Sequence, residues 1–312
     1  MVYSKNFWYD FFMYDFISVG NISIDLYFKS KSLTKSGNRF NLAIGGKYYA
    51  DFFYEDIGGG GCNVAVGVAK HGFKTAIFAR IGNNPFKEMI LNKLKSKNVS
   101  SEFCQYEENY NIISSILLTE TGERTIISYD TPGHLASNFF LHEKLKNSKN
   151  IYISSLSNVS LEEKIKIITH FKGDKTLTFV NLSIVDCKRE PETLGKIFDC
   201  LDVLIINAHE YCELLKKSYE QIDFKNLEIT LPYLKDRILI VTDAEKGSYG
   251  YFKKEKFFQE AVRPEKIVDT TGCGDAYTAG FISQYIKSRN IKISMFAGAE
   301  YASEKLGRIG AN

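Results

Sequence analysis

Short, continuously apolar runs alternate with longer helical segments along this chain, and this alternation restricts the fold more than any other feature. The runs cover 15–20, 75–82, 150–157, 177–183, 203–208 and 238–244. Because they are apolar throughout and not only at every second residue, they are typical of buried strands in a parallel sheet. Helical patterns such as NVAVGVAKHG (63–72) and PFKEMILNKLKSKN (85–98) connect them. The alternation predicts a doubly wound α/β fold.

Two segments interrupt the alternation. Residues 26–57 and 112–128 both have the pattern of antiparallel hairpins, the second with a turn over Glu120 to Glu123. We interpret them as a small β-strand lid inserted into one domain that spans residues 1–312. In open parallel sheets, ligands bind beyond the carboxyl ends of the strands, so the site is expected there, beneath the lid.

Composition narrows the classes of partner. The 312 residues carry a formal net charge of +3, which gives no support to a nucleic-acid or membrane partner held by bulk electrostatics. No run approaches the roughly 20 apolar residues that a membrane span requires. The aromatic N-terminal stretch is interrupted by Asp10 and Asp15 and is a poor signal peptide. We therefore expect a cytoplasmic protein with no nucleic-acid and no membrane partner.

The stretch TTGCGDAYTAG (270–280) combines glycines, a carboxylate and the start of a helical pattern. Gly272 and Gly274 allow a tight turn that brings N–H groups close to an anion. A helix that starts there adds a partial positive charge, which favours a phosphate oxygen. Asp275 would repel that phosphate unless it faces another group, such as a hydroxyl whose proton it accepts. A helix N-cap without any ligand explains the same residues equally well.

A second glycine cluster, IGGGGCNVAVGVA (57–69), precedes another helical pattern. Four consecutive glycines exceed what a turn requires, since each costs backbone entropy. Close approach of a ligand to Gly58–Gly61 is one explanation, with the Asn63 amide available to a polyol. A flexible hinge at the base of the lid is the other.

Two common nucleotide motifs are absent. The glycines do not follow the first strand, and no acidic residue ends the next strand, so the dinucleotide-binding fingerprint fails. The stretch GVAKHGFKT (67–75) has Phe73 where a P-loop needs lysine. Phosphoryl transfer by this chain therefore requires a different architecture.

Taken together, these stretches resemble the ribokinase (PfkB-type) carbohydrate kinase family from Asp15 to Ala311. DTTGCGDAYTAG (269–280) resembles its C-terminal signature, and GGGGCN (58–63) followed by RIGNNPF (80–86) resembles its N-terminal signature. VGNISID (19–25), INAHE (206–210) and VTDAEKG (241–247) resemble its sugar-binding strand, N-x-x-E motif and nucleotide loop. The resemblance implies a three-layer α/β/α sandwich with a mostly parallel sheet, and a cytoplasmic kinase that phosphorylates a hydroxyl of a small sugar.

Carried over onto this sequence, the resemblance implies that Asp275 is the general base for the acceptor hydroxyl. The amides expected to form the anion hole are those of Gly272, Cys273 and Gly274. The residues expected to hold substrate hydroxyls are Ser23, Asp25, Gly58, Gly59 and Asn63. The residues expected to line the path of ATP are Asn207, Thr242, Gly247 and Gly274.

The resemblance also implies metal ions. Asn207 and Glu210 would organise Mg²⁺ and the phosphates through water. Asp269 and Thr271 resemble positions that bind a monovalent cation in many members, which adds K⁺ to the expected ATP and Mg²⁺. The exposed strands of the lid further suggest a homodimer formed through the lid.

Several residues depart from the family pattern. Asn83 and Asn84 replace an acidic residue after the second strand, and Ala244 replaces the middle glycine of the nucleotide loop. The sequence ends at GRIGAN (307–312), short of the tail that often completes the cation site and the adenine pocket.

Two alternatives to a sugar kinase stay open at this point. A nucleoside kinase is suggested by FVNLS (179–183), which resembles the N-x-S stretch of adenosine kinases. A non-catalytic sugar or nucleotide sensor on the same fold is suggested by Ala244 and the short tail.

Overall fold

The computed structural model describes residues 14–131, 148–156, 159–173, 176–225, 234 and 236–312. The strands are β1 (Phe16–Val19), β2 (Ser23–Lys29), β3 (Lys35–Ser36), β4 (Arg39–Phe40), β5 (Phe52–Gly58), β6 (Thr75–Phe78), β7 (Arg80–Gly82), β8 (Val99–Ser100), β9 (Gln105–Glu107), β10 (Ile112–Leu118), β11 (Arg124–Asp130), β12 (Asn150–Ile153), β13 (Leu177–Val180), β14 (Val203–Asn207), β15 (Ile238–Thr242), β16 (Ser248–Phe252) and β17 (Glu255–Gln259). The helices are α1 (Gly60–Lys70), α2 (Lys87–Ser96), α3 (Leu161–Phe171), α4 (Ile184–Cys187), α5 (Pro191–Cys200), α6 (Ala208–Leu215), α7 (Cys273–Ser288) and α8 (Ile291–Leu306).

A central sheet carries the strand order β17-β16-β15-β14-β13-β12-β1-β6-β8. Seven of its strands pair in parallel, namely β15, β14, β13, β12, β1, β6 and β8. At the other edge β16 pairs antiparallel with β15, and β17 pairs antiparallel with β16. Every one of the six sequence runs contains a strand of this sheet, which confirms the predicted mostly parallel arrangement. The run over 75–82 breaks at Ala79, because β7 leaves the sheet to pair with β9.

Helices cover both faces of the central sheet. Ile17 and Val19 pack with α3, α5 and α6 on one face, while Phe16 packs with α1, α7 and α8 on the other. Successive side chains of β1 thus point into two separate cores, as period-two geometry requires. The predicted three-layer α/β/α sandwich is confirmed.

The predicted hairpins combine into one four-stranded sheet, here called the small sheet, with the order β11-β10-β2-β5. Strands β2 and β5 pair antiparallel, as do β10 and β11, and β10 joins β2 in parallel. The strands fall largely within the predicted lid segments 26–57 and 112–128. Their action as a lid, and the assignment of residues 1–312 to a single domain, stay predictions.

Close backbone contacts fix the two helices that begin at the site. A side chain on Gly61 would meet Gly20 Cα at 2.5 Å, so the start of α1 presses directly on the end of β1. A Cβ on Gly67 would meet Ala279 Cβ at 2.5 Å, so α1 also packs tightly on α7. Because glycine alone permits these approaches, the N-terminal ends of α1 and α7 lie side by side beyond the carboxyl end of β1.

Candidate active site

The turn before α7 leaves the N–H groups of Gly272 and Gly274 without a described partner, while Cys273 N makes a long hydrogen bond of 3.4 Å to Thr270 O. Gly272 precedes the helix with φ 76°, a left-handed conformation that suits glycine. Within the described part of the chain, no side chain caps this helix end. Gly274 is exposed, and no described heavy atom lies within 4 Å of the position its Cβ would take. The first turn of α7 therefore offers uncapped N–H groups and a positive helix end to an anion.

Asp275 lies on this first turn and faces α1. Its Oδ2 accepts a hydrogen bond of 2.7 Å from Asn63 Nδ2. A Cβ on Gly60 would lie 3.6 Å from Asp275 Oδ1, so the carboxylate sits beside the start of α1 as well. Burial raises the pKa of Asp275 to about 6; the Asn63 hydrogen bond opposes this, and the Asp25 charge adds to it. A carboxylate with this pKa is ionised at neutral pH and is a stronger base than an ordinary aspartate.

Asp25 projects from the inner face of the small sheet. Its side chain is 5% exposed and Oδ1 accepts a hydrogen bond of 2.7 Å from Ser23 Oγ. A Cβ on Gly58 would lie 2.1 Å from Asp25 Oδ2, so glycine there makes room for the carboxylate. Burial raises the pKa of Asp25 to about 6, and the Asp56 charge contributes. Two carboxylates with raised pKa values thus face the same region, which is typical of functional sites.

The glycines of the second cluster serve backbone packing. Gly59 has φ 93°, and a Cβ there would meet Asn21 O at 2.6 Å. Gly58 and Gly61 make room for Asp25 and Gly20, as described above. Of the four glycines at 58–61, only Gly60 has no described atom within 3.4 Å of the position that its Cβ would take. The contact of Gly58 and Gly59 with substrate stays a prediction, and their packing already accounts for both glycines.

A cavity of about 660 Å³ opens on the other side of the α7 turn. All four residues predicted to line the ATP path are part of its wall: Asn207, Thr242, Gly247 and Gly274. Cys273 and Thr270 also line it, whereas the described lining residues do not include Asp275, Asp25 or Ser23. The turn formed by Gly272, Cys273 and Gly274, here called the anion turn, therefore separates this cavity from the carboxylates of Asp275 and Asp25.

His209 belongs to the same cavity wall. An isolated histidine without metal spacing is usually a surface residue, so His209 is assigned no role from the sequence. Its position directly after Asn207-Ala208 at the carboxyl end of a parallel strand was the available signal.

Asn207 and Glu210 form a reciprocal cap at the start of α6. Asn207 Oδ1 accepts from Glu210 N at 2.9 Å, and Glu210 Oε2 accepts from Asn207 N at 2.8 Å. Burial raises the pKa of Glu210 to about 7, against the hydrogen bonds that lower it. The N-x-x-E motif thus fixes the start of α6, where Asn207 lines the cavity and Glu210 lies outside the described lining.

The donor set of Glu210 and Asn207 fits Mg²⁺ held mainly by phosphates and water. Among the residues that the structure describes, no three His, Cys, Asp or Glu side chains are grouped as metal ligands. Mg²⁺ is usually bound by one or two carboxylates together with substrate phosphates, so Glu210, whose capping partner Asn207 lines the cavity, would suffice. Asp243 and Glu245 are the carboxylates within the described cavity wall itself.

The nucleotide loop has two left-handed residues. Ala244 has φ 45° and Gly247 has φ 101°. A Cβ on Gly247 would lie 2.2 Å from Gln259 O, so glycine is required there. Ala244, at the position of the family glycine, has a left-handed conformation that costs about 1–2 kcal/mol for a residue with a side chain.

Asp269, one of the two residues predicted to bind a monovalent cation, already contacts a positive charge. Asp269 Oδ1 accepts from Thr271 N at 2.9 Å and from Thr271 Oγ1 at 2.7 Å. Lys305 Nζ, fully buried, donates to Asp269 O at 3.1 Å and lies 4.0 Å from Asp269 Oδ2. Burial lowers the pKa of Lys305, and the Asp269 carboxylate opposes that effect. These residues do not fit an additional K⁺ ion, because the ammonium group occupies the position beside the carboxylate.

The fold and the site together are typical of a small-molecule kinase, with a cavity of about 660 Å³ on one side of an uncapped helix turn and carboxylates on the other. The chain matches the pfkB family carbohydrate kinase over residues 13–312 and belongs to that family. The predictions of the family and of a phosphotransferase that acts on an alcohol group are confirmed. Among the described residues, none of the helices has the length and apolar character needed to cross a bilayer.

Individual relatives differ in their substrates. Probable fructokinase-6, chloroplastic, from Arabidopsis thaliana is 29% identical over 253 residues, which cover 75% of this chain and 64% of that protein. The match thus spans just under two thirds of that fructokinase. The nucleoside kinase of Methanocaldococcus jannaschii is 24% identical over 292 residues, 91% of this chain and 88% of that protein.

A solved structure of Arabidopsis thaliana ribokinase, complexed with ribose and ATP, has the same fold. It superposes with a TM-score of 0.74 at 19% identity and covers 96% of this chain and 94% of that one. At this identity the likeness concerns the fold alone, and it confirms the predicted ribokinase-like class.

Proposed function

We propose that this kinase transfers the γ-phosphoryl group of ATP to a hydroxyl of a small sugar, with Asp275 as general base. One observation carries the proposal: Asp275 lies on the same helical turn as Gly274, yet faces away from the cavity that Gly274 lines. A phosphoryl group at the turn would therefore have the nucleotide on one side and the base on the other. This is the in-line arrangement that phosphoryl transfer needs.

The reaction follows from this placement. Asp275 accepts the hydroxyl proton while the substrate oxygen bonds to the γ-phosphorus and the bond to the ADP oxygen breaks. The amides of Gly272, Cys273 and Gly274, with the positive end of α7, stabilise the charge on the transferred group. Glu210 and Asn207 would hold Mg²⁺ through water, and the ion would supply positive charge to neutralise the phosphates.

Asp25 and Ser23 would make the substrate site, on the side of the anion turn away from the cavity, prefer ligands with hydroxyl groups. An ionised carboxylate only accepts hydrogen bonds, so Asp25 suits a ligand with two adjacent hydroxyls. The small sheet that carries Asp25 would exclude water from the reacting oxygen when a sugar is bound. Gly58, Gly59 and Asn63 complete the proposed substrate wall.

A nucleoside kinase is the second candidate, supported by the similarity to the M. jannaschii nucleoside kinase. The stretch over 179–183 supports it less than the sequence indicated. Asn181 Nδ2 donates to Ile205 O at 2.7 Å, and the Ser183 side chain caps α4. Both side chains therefore already have structural partners.

A substrate panel distinguishes the candidates. ADP release is measured with ribose, fructose, further sugars and nucleosides, with and without Mg²⁺, and Asp275→Asn provides the background. Turnover of sugars supports the proposal, and turnover of nucleosides alone would replace it with the second candidate. Binding without turnover of any substrate would indicate a sensor.

The outer face of the small sheet supports the predicted lid-to-lid homodimer. Phe53, Ile127 and Tyr129 lie on the face opposite Asp25, as the strand register requires, and are 52%, 62% and 59% exposed. Exposed apolar strands favour association. Light scattering of the wild type and of Ile127→Lys would test it, since a monomeric wild type contradicts the prediction.

A further inference from the structure

Lys305, near the end of α8, is fully buried beneath the anion turn. Lysine is almost never fully buried unless its charge is paired. Its Nζ donates to Asp269 O at 3.1 Å and to Arg308 O at 3.2 Å, and lies 4.0 Å from Asp269 Oδ2. Three oxygens from two chain segments therefore surround one positive charge.

Asp269 connects the same position to the catalytic turn. Its Oδ1 accepts hydrogen bonds from Thr271 N and Thr271 Oγ1, and its Oδ2 accepts a hydrogen bond of 3.1 Å from Gly310 N. Gly310 belongs to the C-terminal segment, where Ala311 packs against Gly272: a Cβ on Gly272 would meet Ala311 O at 2.5 Å. The charge on Lys305 thus holds together α8, the C-terminal segment and the loop that leads into the anion hole.

We infer that the Lys305 ammonium group is a built-in monovalent cation, which fixes the Asp269 loop so that the enzyme needs no K⁺. A buried ammonium group and a dehydrated K⁺ require the same surroundings, namely carbonyl and carboxylate oxygens around a unit positive charge. Lys305 is a positioning residue that acts on the anion turn through Asp269. This inference rests on the proposed function for its activity measurement only.

The wild-type enzyme provides the first test. Activity and thermal stability are compared in KCl, NaCl and choline chloride at equal ionic strength. We expect kcat/KM to change less than twofold and the melting temperature to stay constant across the three salts. A tenfold or greater activation by K⁺, or a K⁺-specific rise in melting temperature, would overturn the inference.

Lys305→Met provides the second test, because it keeps most of the side-chain volume and removes the charge. In choline chloride the variant should lose at least tenfold in kcat/KM and melt at a lower temperature. KCl or NH₄Cl should restore part of both, with a rise in melting temperature of about 3 °C or more. Lys292→Met, an exposed residue on the same helix, is the matched control and should show neither loss nor rescue.

A double variant keeps the inference testable if Lys305→Met folds poorly. The double variant Lys305→Met/Asp269→Asn removes both charges, and it should melt above the single variant without responding to K⁺. A single variant that no cation rescues would show a purely structural lysine and refute the inference. Because melting needs no substrate, a failed substrate panel leaves this test intact.

Discussion

Asn63 Nδ2 donates a hydrogen bond of 2.7 Å to Asp275 Oδ2, which joins the first turn of α1 to the first turn of α7. The Asn63 amide has a fixed orientation, because its Oδ1 accepts from Asn312 Nδ2 at 2.8 Å. Its NH₂ group therefore points at the carboxylate. The proposed base is held in place by a neutral donor, which leaves the negative charge available to accept a proton.

Asp275→Asn should lower kcat by at least roughly 10²-fold and leave ATP affinity nearly unchanged. The amide keeps the shape of the side chain but has no basic oxygen for the hydroxyl proton. Steady-state kinetics and nucleotide titration measure the two effects. Glu255→Gln, an exposed residue on β17, is the control. A nearly active Asp275→Asn variant would refute the assignment of the base.

The pH dependence of kcat should show an acid limb near pH 6. Asp275 accepts a proton only when ionised, and burial raises its pKa to about 6. Activity should therefore fall as pH decreases through about 6 and level off above 7. A profile that stays flat down to pH 5 would show that no group with a raised pKa is required.

Asn63→Ala should move that acid limb to higher pH. The Asn63 hydrogen bond lowers the pKa of Asp275, so its loss leaves burial and the Asp25 charge to raise the pKa further. Asn38→Ala, in the exposed β3–β4 turn, is the matched control. A limb that stays in place, or shifts to lower pH, would contradict the role given to this hydrogen bond.

Asp25→Asn should stabilise the folded protein at pH 7.5. The pKa of Asp25 is about 6 when folded against an ordinary value of 3.8, so the native state binds more protons between these values. Stability due to this group is therefore present at low pH and is lost as pH rises through about 6. The variant should gain about 1–3 kcal/mol at pH 7.5 and much less at pH 4.

Denaturant unfolding at both pH values tests the Asp25 prediction. Glu55→Gln, exposed on the adjacent strand β5, serves as control. An Asp25→Asn variant that is less stable than wild type at pH 7.5 would show that the carboxylate contributes more through Ser23 than it costs through burial.

Two glycines of one turn should respond oppositely to alanine. Gly274→Ala has space for the methyl group and should fold with unchanged or higher stability, yet lose roughly tenfold or more in kcat/KM for ATP. Gly272→Ala would strain a left-handed residue and clash with Ala311, and should lose at least about 2 kcal/mol. Melting curves and ATP kinetics of both variants check the pair, and a fully active Gly274→Ala variant would argue against a phosphate at this turn.

Ala244→Gly should stabilise the protein by about 0.5–1 kcal/mol. Glycine relieves the strain at φ 45°, partly offset by its greater freedom in the unfolded chain. Ala302→Gly within α8 is the contrasting control and should cost about 1 kcal/mol. Destabilisation by Ala244→Gly would mean that the alanine methyl makes a contact worth more than the backbone strain.

The sequence predicted six strands of the parallel core because each lies in a continuously apolar run, but not the short edge strand β8 (Val99–Ser100). It did not predict β16 and β17, whose residues such as Gly250 and Lys256 lack that pattern and pair only through tertiary contact. The parallel pairing of β10 with β2 was equally inaccessible, since register between distant strands is decided by packing and not by local propensity.

At the site, the glycine and aspartate motifs were visible because their chemistry is local in sequence. Lys305 was not, because EKLGR (304–308) has the composition of a solvated helix end and only the fold shows its burial. His209 lies beside Asn207 in the sequence, but only the fold shows that it belongs to the cavity wall.

The small sheet combines strands that are far apart in the sequence, and this has a consequence for folding during translation. Strand β2, which carries Asp25, pairs with β5 soon after both leave the ribosome, but its other edge waits for Ile112–Leu118. At typical translation speeds this interval is on the order of ten seconds. During that time one edge of β2 is unpaired in the nascent chain. Chaperone binding or misassembly of the nascent chain would therefore begin at β2.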